Sequence, residues 1–561
     1  PEMILRTKLS SLLIHSSVAA GIFSVASLVA CAGIAPGPDS RAVVDTSAYT
    51  TVLHVDQARG DDIKGDGSSA RPLASVIAAL EAAGAPAAPQ RVAVLVAAGR
   101  YLQPTFALKP RVDLFGGFSA AGGGRDILAH PTYLDGGEQN RIAIGANDCR
   151  LDGFFLVNGR VRGKGAALLC DGVSPSLINC IFLNNRTLIP AGWNPPLLHE
   201  TAHDGGAIMC LNGSATLIEK CLFYGNSTEC GRGAAVAADR AAAPRILASV
   251  FANNRAGLDD PMRSSDGGAL SFFDRSCGEM TGNVVVANEA LSKNDAGGLF
   301  VALWSAPRIT DNVIVANEAG DDAGGLFLGG QEHRYDAPLD PYPPADRFNI
   351  VVERNLFVGN SNGSRNSGAM RVTMETRARF SHNIIAENAG GFYLQRSEIN
   401  ADHNTIWQEW RFLEDKPSLG TSRFTANIFR STDKVESPRI TFSGNMADAS
   451  TPGGPHIAVA DIFVDDAVDG ELAELRFDPV SCTTTLTTRE PLAAGNYTGR
   501  PVRMGDSRNG GQWRVIASAS RNQIVLWGRL DAVTKAPKYF EILRTFTPKP
   551  GAPADLGARH N

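Results

Sequence analysis

Ile309-Thr310-Asp311-Asn312-Val313-Ile314-Val315 sets a short polar bend between two runs of branched apolar residues. The phrase returns as Val352-Glu353-Arg354-Asn355-Leu356-Phe357 and as Phe380-Ser381-His382-Asn383-Ile384-Ile385. Earlier versions are Ser176-Leu177-Ile178-Asn179-Cys180-Ile181-Phe182 and Thr216-Leu217-Ile218-Glu219-Lys220-Cys221-Leu222-Phe223. A second phrase alternates with it: Gly205-Gly206-Ala207-Ile208, Gly267-Gly268-Ala269-Leu270, Gly297-Gly298-Leu299-Phe300, Gly324-Gly325-Leu326-Phe327 and Gly390-Gly391-Phe392-Tyr393. Self-similarity at a period of tens of residues decides the fold before any local reading does.

The repeated bend position is read at Asp152, Asn179, Lys220, Ser249, Asn283, Asn312, Asn355, Asn383, Asn404 and Asn427. The Val, Ile and Phe beside it have strand character. Each repeat then holds about three short strands and cannot bury its own apolar face, so it must stack on its neighbours. Stacked coils place equivalent strands in parallel, roughly 4.8 Å apart. Asn tolerates the left-handed or bridge backbone of a sharp bend, and its amide can bond the Asn of the next coil. A ladder of amides is therefore expected along one edge. The plainer alternative is a set of unconnected turn residues.

These phrases resemble the right-handed parallel β-helix proteins of the pectin-lyase-like superfamily over about residues 50 to 430. The resemblance is specific for fold and weak for function. The expected fold class is all-β: a right-handed parallel β-helix solenoid with an N-terminal helical cap and a small C-terminal antiparallel β domain.

At the start, Arg6 and Lys8 precede an apolar stretch from Leu9 to Ala30, the pattern of a secretory signal. Leu28-Val29-Ala30-Cys31 resembles a bacterial lipobox, which implies that Cys31 is the lipidated first residue of the mature protein. Ala32 after it implies sorting to the outer membrane. The alternative is a plain transmembrane anchor. On this reading residues 1–31 are a signal peptide and 32–49 are a tether, with Pro36 and Pro38 among small residues. On the same reading the protein would be exported and held at the bacterial envelope by lipid alone. Residues 50–455 are the solenoid and 456–561 the C-terminal β domain. Leu53-His54-Val55-Asp56, a Gly/Asp-rich loop and an apolar helix from Ala74 to Ala83 resemble the cap of such proteins. An open coil end needs that cover. Asp61, Asp62 and Asp66 are read as a solvated turn in preference to a calcium loop.

The formal net charge of −5 and pI near 6.1 give no reason to expect nucleic acid as a partner. Cys170 and Cys210 occupy equivalent places in adjacent coils, as do Cys180 and Cys221. Either pair lies within disulfide range, but a stack of buried thiols is the favoured reading for Cys180 and Cys221. No Cys/His spacing for zinc or haem occurs.

Insertions locate the working face of a repeat protein. They run over 186–203, 255–266 and 331–348. The first carries Trp193, His199, Glu200 and His203, and the last carries His333, Arg334, Tyr335 and Tyr342. They are expected to flank a groove floored by the Gly-Gly strands, resembling the sugar cleft of β-helix lyases and hydrolases. Trp193, Trp304 and Tyr335 would stack on pyranose rings, and arginines such as Arg334 would grip uronate carboxylates. The hydrolase signature of the family is incomplete, because Asp321-Asp322 is present but no Gly-His-Gly is. Uronate elimination is preferred, with His199, His203, His333 or Tyr335 as base and Arg371, Arg377 or Arg396 neutralising the acid. Asp204, Asp266, Asp295 and Asp322 each stand just before a Gly-Gly phrase and should form a column. Calcium would relieve their repulsion; the alternative is that each caps its own turn. The sequence thus supports two functional classes. One binds and cleaves an acidic polysaccharide. The other is a non-enzymatic surface adhesin or envelope protein.

Overall fold

The computed structural model describes residues 36–120, 124–192, 203–259, 265–330, 349–364, 367–408, 411–412, 420–430, 439–446, 462–507, 511–530 and 537–549. A typical coil turns through four short strands. Arg150–Asp152 lies on face I, Phe155–Val157 on face II, Arg160–Arg162 on face III and Leu168–Asp171 on face IV. Ser176–Ile178 then returns to face I. Pairing between coils is parallel and in one-to-one register. Ile181, Leu222, Val250, Val284, Val313, Leu356 and Ile384 share one file on face II. Face I continues from Thr51–Val55 to Ile440–Ser443, so one stack spans most of the chain. The molecule is a parallel β-helix.

Strand alternation sends every second side chain of faces I, II and IV inward, and those residues fuse into a single core from Leu53 to Ile440. Phe182, Phe223 and Phe251 stack within it at 4.6 and 4.8 Å. The first coil is closed by α1 (Val76–Ala83), which buries Val76, Ala79 and Leu80. Ser75 caps it by accepting the Ala78 N–H, as sequence preference for such ends dictates. Asp61, Asp62 and Asp66 accept main-chain N–H groups of their own loop and of the helix entry. They are turn residues, as expected.

The bend between faces I and II carries the expected ladder, displaced by one residue in its early rungs. Asn312 Oδ1 accepts both the N–H and the Nδ2–H of Asn283, each at 2.9 Å. The same bonds link Asn312 to Asn355, then Asn383, Asn404, Asn427 and Asn445. The left-handed residue, however, is the one before each Asn: Gly282, Asp311, Arg354, His382 and His403. Asn179 and Lys220 are themselves such left-handed residues, so their coils place Cys180 and Cys221 on the rung. Asp152 lies still earlier, in register with Ile178. The left-handed residue points out of the bend while the next one turns under it, where unpaired main-chain groups need a partner. Cys180 and Cys221 face the Leu151 and Leu177 carbonyls that an Asn amide would reach. All eight described cysteines are free thiols, Cys170 and Cys210 included.

A second ladder, unforeseen, lines the bend between faces II and III. Asn185, Asn226, Asn254, Asn288, Asn317, Asn360 and Asn388 pass Nδ2–H to Oδ1 in series and end on Gln408. Its sequence signal is a second Asn five residues after the first, as in Asn312 and Asn317.

Six strands, Val468–Asp478, Thr483–Thr488, Pro501–Gly505, Gln512–Ser520, Gln523–Trp527 and Tyr539–Ile542, close an antiparallel barrel. Leu486, Val502, Ile516, Ile524, Leu526 and Ile542 fill its interior. The barrel does not sit over the end of the coil stack. It lies against the outer side of face II, where Trp513, Val515 and Cys482 pack on Val250, Val284, Val313 and Val315. Face II strands are apolar on both sides for this reason.

Residues 36–49, read as a tether, are instead bound to the solenoid. Tyr49 donates to Asp113 Oδ2 at 2.7 Å, and Arg125 donates to the Ala42 carbonyl at 2.7 Å. Ile127 N–H donates to Ser40 O at 2.8 Å. Asp39 N–H donates to Asn179 Oδ1 at 3.0 Å and its carboxylate lies 3.8 Å from Lys220 Nζ. Gly37 N–H donates to Ala248 O at 2.8 Å. The strap therefore runs along the corner between faces I and II, against the direction of stacking.

Candidate functional site

The Gly-Gly phrases open face IV. Gly267 takes φ 80°, and a Cβ on Gly268 would meet the Gly297 carbonyl at 2.3 Å. Only glycine allows the coils to close up there. The strands that follow point one file of side chains outward: Met209, Ala237, Ser271, Phe300, Phe327, Arg371 and Tyr393. Phe300 and Phe327 stack at 5.2 Å and are covered, with Phe273 and Leu303, in a small cluster outside the main core. The file becomes polar at Arg371. Its guanidinium pairs with Asp322, donates to Gln395 Oε1 at 3.0 Å and lies 5.0 Å over the Tyr393 ring. Thr373 donates to the same Gln395 oxygen at 3.1 Å.

The carboxylate column runs along the corner between faces III and IV, but it is interrupted. The coil between Asp204 and Asp266 places Arg232 at the equivalent position, because Gly205 N–H reaches Arg232 O and Gly233 N–H reaches Asp266 O. Lys164 stands on the other side of Asp204, 3.0 Å from Oδ2. Asp204 Oδ1 also accepts the Arg232 N–H at 2.8 Å. Arg232 lies 3.5 Å over the Phe273 ring. Asp266, Asp295 and Asp322 remain contiguous. Asp266 Oδ1 accepts the Asp295 N–H and Asp295 Oδ1 accepts the Asp322 N–H. Asp266 and Asp295 thus bond the main chain of the next coil, a variant of the turn-capping alternative, while Asp322 bonds the Arg371 and Ser367 side chains. Burial, then the neighbouring Asp266 and Asp322 charges, push the Asp295 carboxyl well above the usual range. Among the described residues, no group of three or more His, Cys, Asp or Glu side chains is arranged to hold a metal.

The other expected site residues separate. His203 is fully buried at the entry to face IV, and its carbonyl accepts from Thr187. Trp304 sits in a left-handed turn with its main-chain N–H donating to Gly330 O, and its side chain packs in the main core. Arg396 lies at the turn that leaves face IV, with φ 45°. Arg377 is on face I and pairs with Glu398 at 3.2 Å. Trp193, His199, Glu200, His333, Arg334, Tyr335 and Tyr342 lie outside the described residues, as does Cys31.

One cluster escaped the sequence reading. His382 and His403, left-handed residues of adjacent coils, stack with ring centroids 5.1 Å apart. His403 Nδ1 is 3.2 Å from Asp402 Oδ2. Arg354, one coil earlier, grips Asp311 at 2.8 Å through two nitrogens and also reaches Glu353. Burial first, then the facing His403, lowers the His382 pKa. The signal was available: each histidine directly precedes a ladder Asn.

No family model and no curated protein matches this chain. Among solved structures it is similar to a tailspike protein, gp49, of the Acinetobacter baumannii bacteriophage Fri1, described as a capsular polysaccharide depolymerase. The identity is 10%, the TM-score 0.26, and the match covers 91% of this chain and 92% of that one. A likeness of that size carries no weight for function.

Proposed function

We propose that this chain is an exported bacterial envelope protein, lipid-anchored through Cys31, that binds an acidic polysaccharide along the outer side of face IV. The observation that supports it is the Arg371–Tyr393–Gln395 group. A half-buried phenol suits a pyranose face and a guanidinium suits a carboxylate, while the buried Gln395 amide holds that guanidinium in place. Asp322 balances Arg371 in the free protein, so a uronate carboxylate competes for a guanidinium already in position. Cleavage by β-elimination is the further reading. It needs a base beside that guanidinium, and His203 is enclosed in protein. The role then falls to His199, His333 or Tyr335. The buried place of His203 favours the binding reading over the catalytic one, and the core place of Trp304 removes it from the sugar-stacking set.

The test uses columns of immobilised acidic and neutral polysaccharides, with and without calcium, and the ultraviolet signal of unsaturated products. Retention on an acidic polymer is expected, weakened about tenfold, roughly 1.4 kcal/mol, by Arg371→Ala or Tyr393→Ala. Equal retention of wild type and both variants would remove face IV from the account. Product absorbance would establish the lyase.

A further inference from the structure

The strap fixes where the chain leaves the solenoid. Asn179, Lys220 and Ala248 are the left-handed bend residues of three coils at the corner between faces I and II, and the strap bonds each in turn. Its outermost described residues, Pro36 and Gly37, are buried. A Cβ on Gly37 would meet Trp527 of the barrel at 2.8 Å and Val250 at 3.5 Å. The exit is thus pinned between solenoid and barrel. It lies beside Arg245–Leu247, the seventh of the fourteen strands of face I. That is the middle of the stack and not an end.

Five residue steps separate Pro36 from Cys31, and extended chain spans at most about 3.6 Å per residue, so the lipidated residue lies within about 18 Å of the exit. We infer that the lipid anchor lays the solenoid lengthwise on the bilayer, with the corner between faces I and II toward the lipid. The corner between faces III and IV, with Asp204, Asp266 and Asp295, then points away from the membrane. The chain order of the four faces puts those two corners on opposite sides of each coil. The polysaccharide-binding side is presented outward, and a free tether over 32–49 would have imposed no such orientation. This inference rests on the anchoring of Cys31 proposed above.

The experiment uses full-length protein matured in a lipoprotein-processing bacterium. It is reconstituted in phosphatidylethanolamine/phosphatidylglycerol vesicles bearing a headgroup-linked energy acceptor. In a Cys277→Ser background, which removes the exposed thiol, a donor is attached through Arg41→Cys or Glu318→Cys. Arg41 is on the strap and Glu318 on face III, and both are exposed. Transfer from the strap position is expected to be at least double that from face III. A Gly/Ser insert of about twenty residues between Ala35 and Pro36, with an r.m.s. reach near 25 Å, is expected to erase the difference. Equal or reversed transfer, or a difference that survives the insert, would overturn the orientation. The mass of the N-terminal peptide and membrane retention of Cys31→Ser report separately on the anchor. An unmodified Cys31 would remove the anchor and the orientation together. A lipidated Cys31 with equal transfer would remove the orientation alone.

Discussion

Asn355 shows what one side chain does in this fold. Its Oδ1 accepts two N–H groups from Asn312, and its Nδ2 donates to Ile309 O and to Asn383 Oδ1. Asn355→Ala would leave several buried groups unpaired at once, and a loss of about 2–4 kcal/mol is expected in chemical denaturation. Asn355→Ser should be milder, since Ser249 fills the same rung and accepts the Cys221 N–H. Asp295 argues in the opposite direction. Its raised carboxyl pKa means that the folded protein holds a proton which the unfolded chain releases near pH 4. Its contribution is complete below that point and is lost as pH rises. Asp295→Asn keeps an oxygen for the Asp322 N–H and removes the charge. A gain on the order of 1–3 kcal/mol is expected at pH 7–8, with little change near pH 3. His382 has the reverse sign from the acid side. Its folded pKa is lowered, so its contribution is present above the ordinary value, near 6.5, and declines as pH falls below it. His382→Asn, tolerated in a left-handed bend, should flatten the loss of thermal stability between about pH 6.5 and 5.

At the scale of the element, strand and bend were legible and the exact rung was not. Runs such as Val313-Ile314-Val315 announce strands by composition, and their spacing announces stacking. The early rungs were misplaced because Cys180 and Cys221 can bond the same carbonyls and carry no amide to mark them. The acid column was misread for a related reason. The coil with Arg232 reads Gly231-Arg232-Gly233, not Asp-Gly-Gly, so its basic side chain was not counted among its acidic neighbours. A calcium titration separates the two readings of that column. If the acids bond only main-chain groups and Arg371, millimolar calcium should leave the melting temperature of wild type unchanged and that of Asp295→Asn raised to the same extent as without it. A calcium-dependent rise in wild type alone would restore the metal.

At the scale of the whole molecule, a small C-terminal antiparallel β domain is legible in the sequence, but its resting place is not. Nothing local distinguishes an apolar face awaiting a partner from one facing a core. Val284 and Val313 look like core residues and are covered by the barrel instead. Trp513 is the clasp: a Cβ on Gly359 would meet its ring at 2.3 Å. Trp513→Ala is expected to destabilise by about 3–5 kcal/mol and to let limited proteolysis release the barrel before the solenoid is cut. Cleavage of both together at the wild-type rate would show that the docking is weak.

The barrel also measures length. Tyr224 meets Phe477, Asn253 holds the Arg529 N–H, and Gly359 receives Trp513, so one rigid body touches coils spread along the stack. Coils elsewhere bond only to their neighbours, and a solenoid of that kind tolerates gain or loss of a whole turn. Between Tyr224 and Gly359 the number of turns is gauged against a part of fixed size, and a duplicated or deleted turn there would no longer match it. Variation in length among proteins built on this plan is therefore expected beyond those turns and not between them.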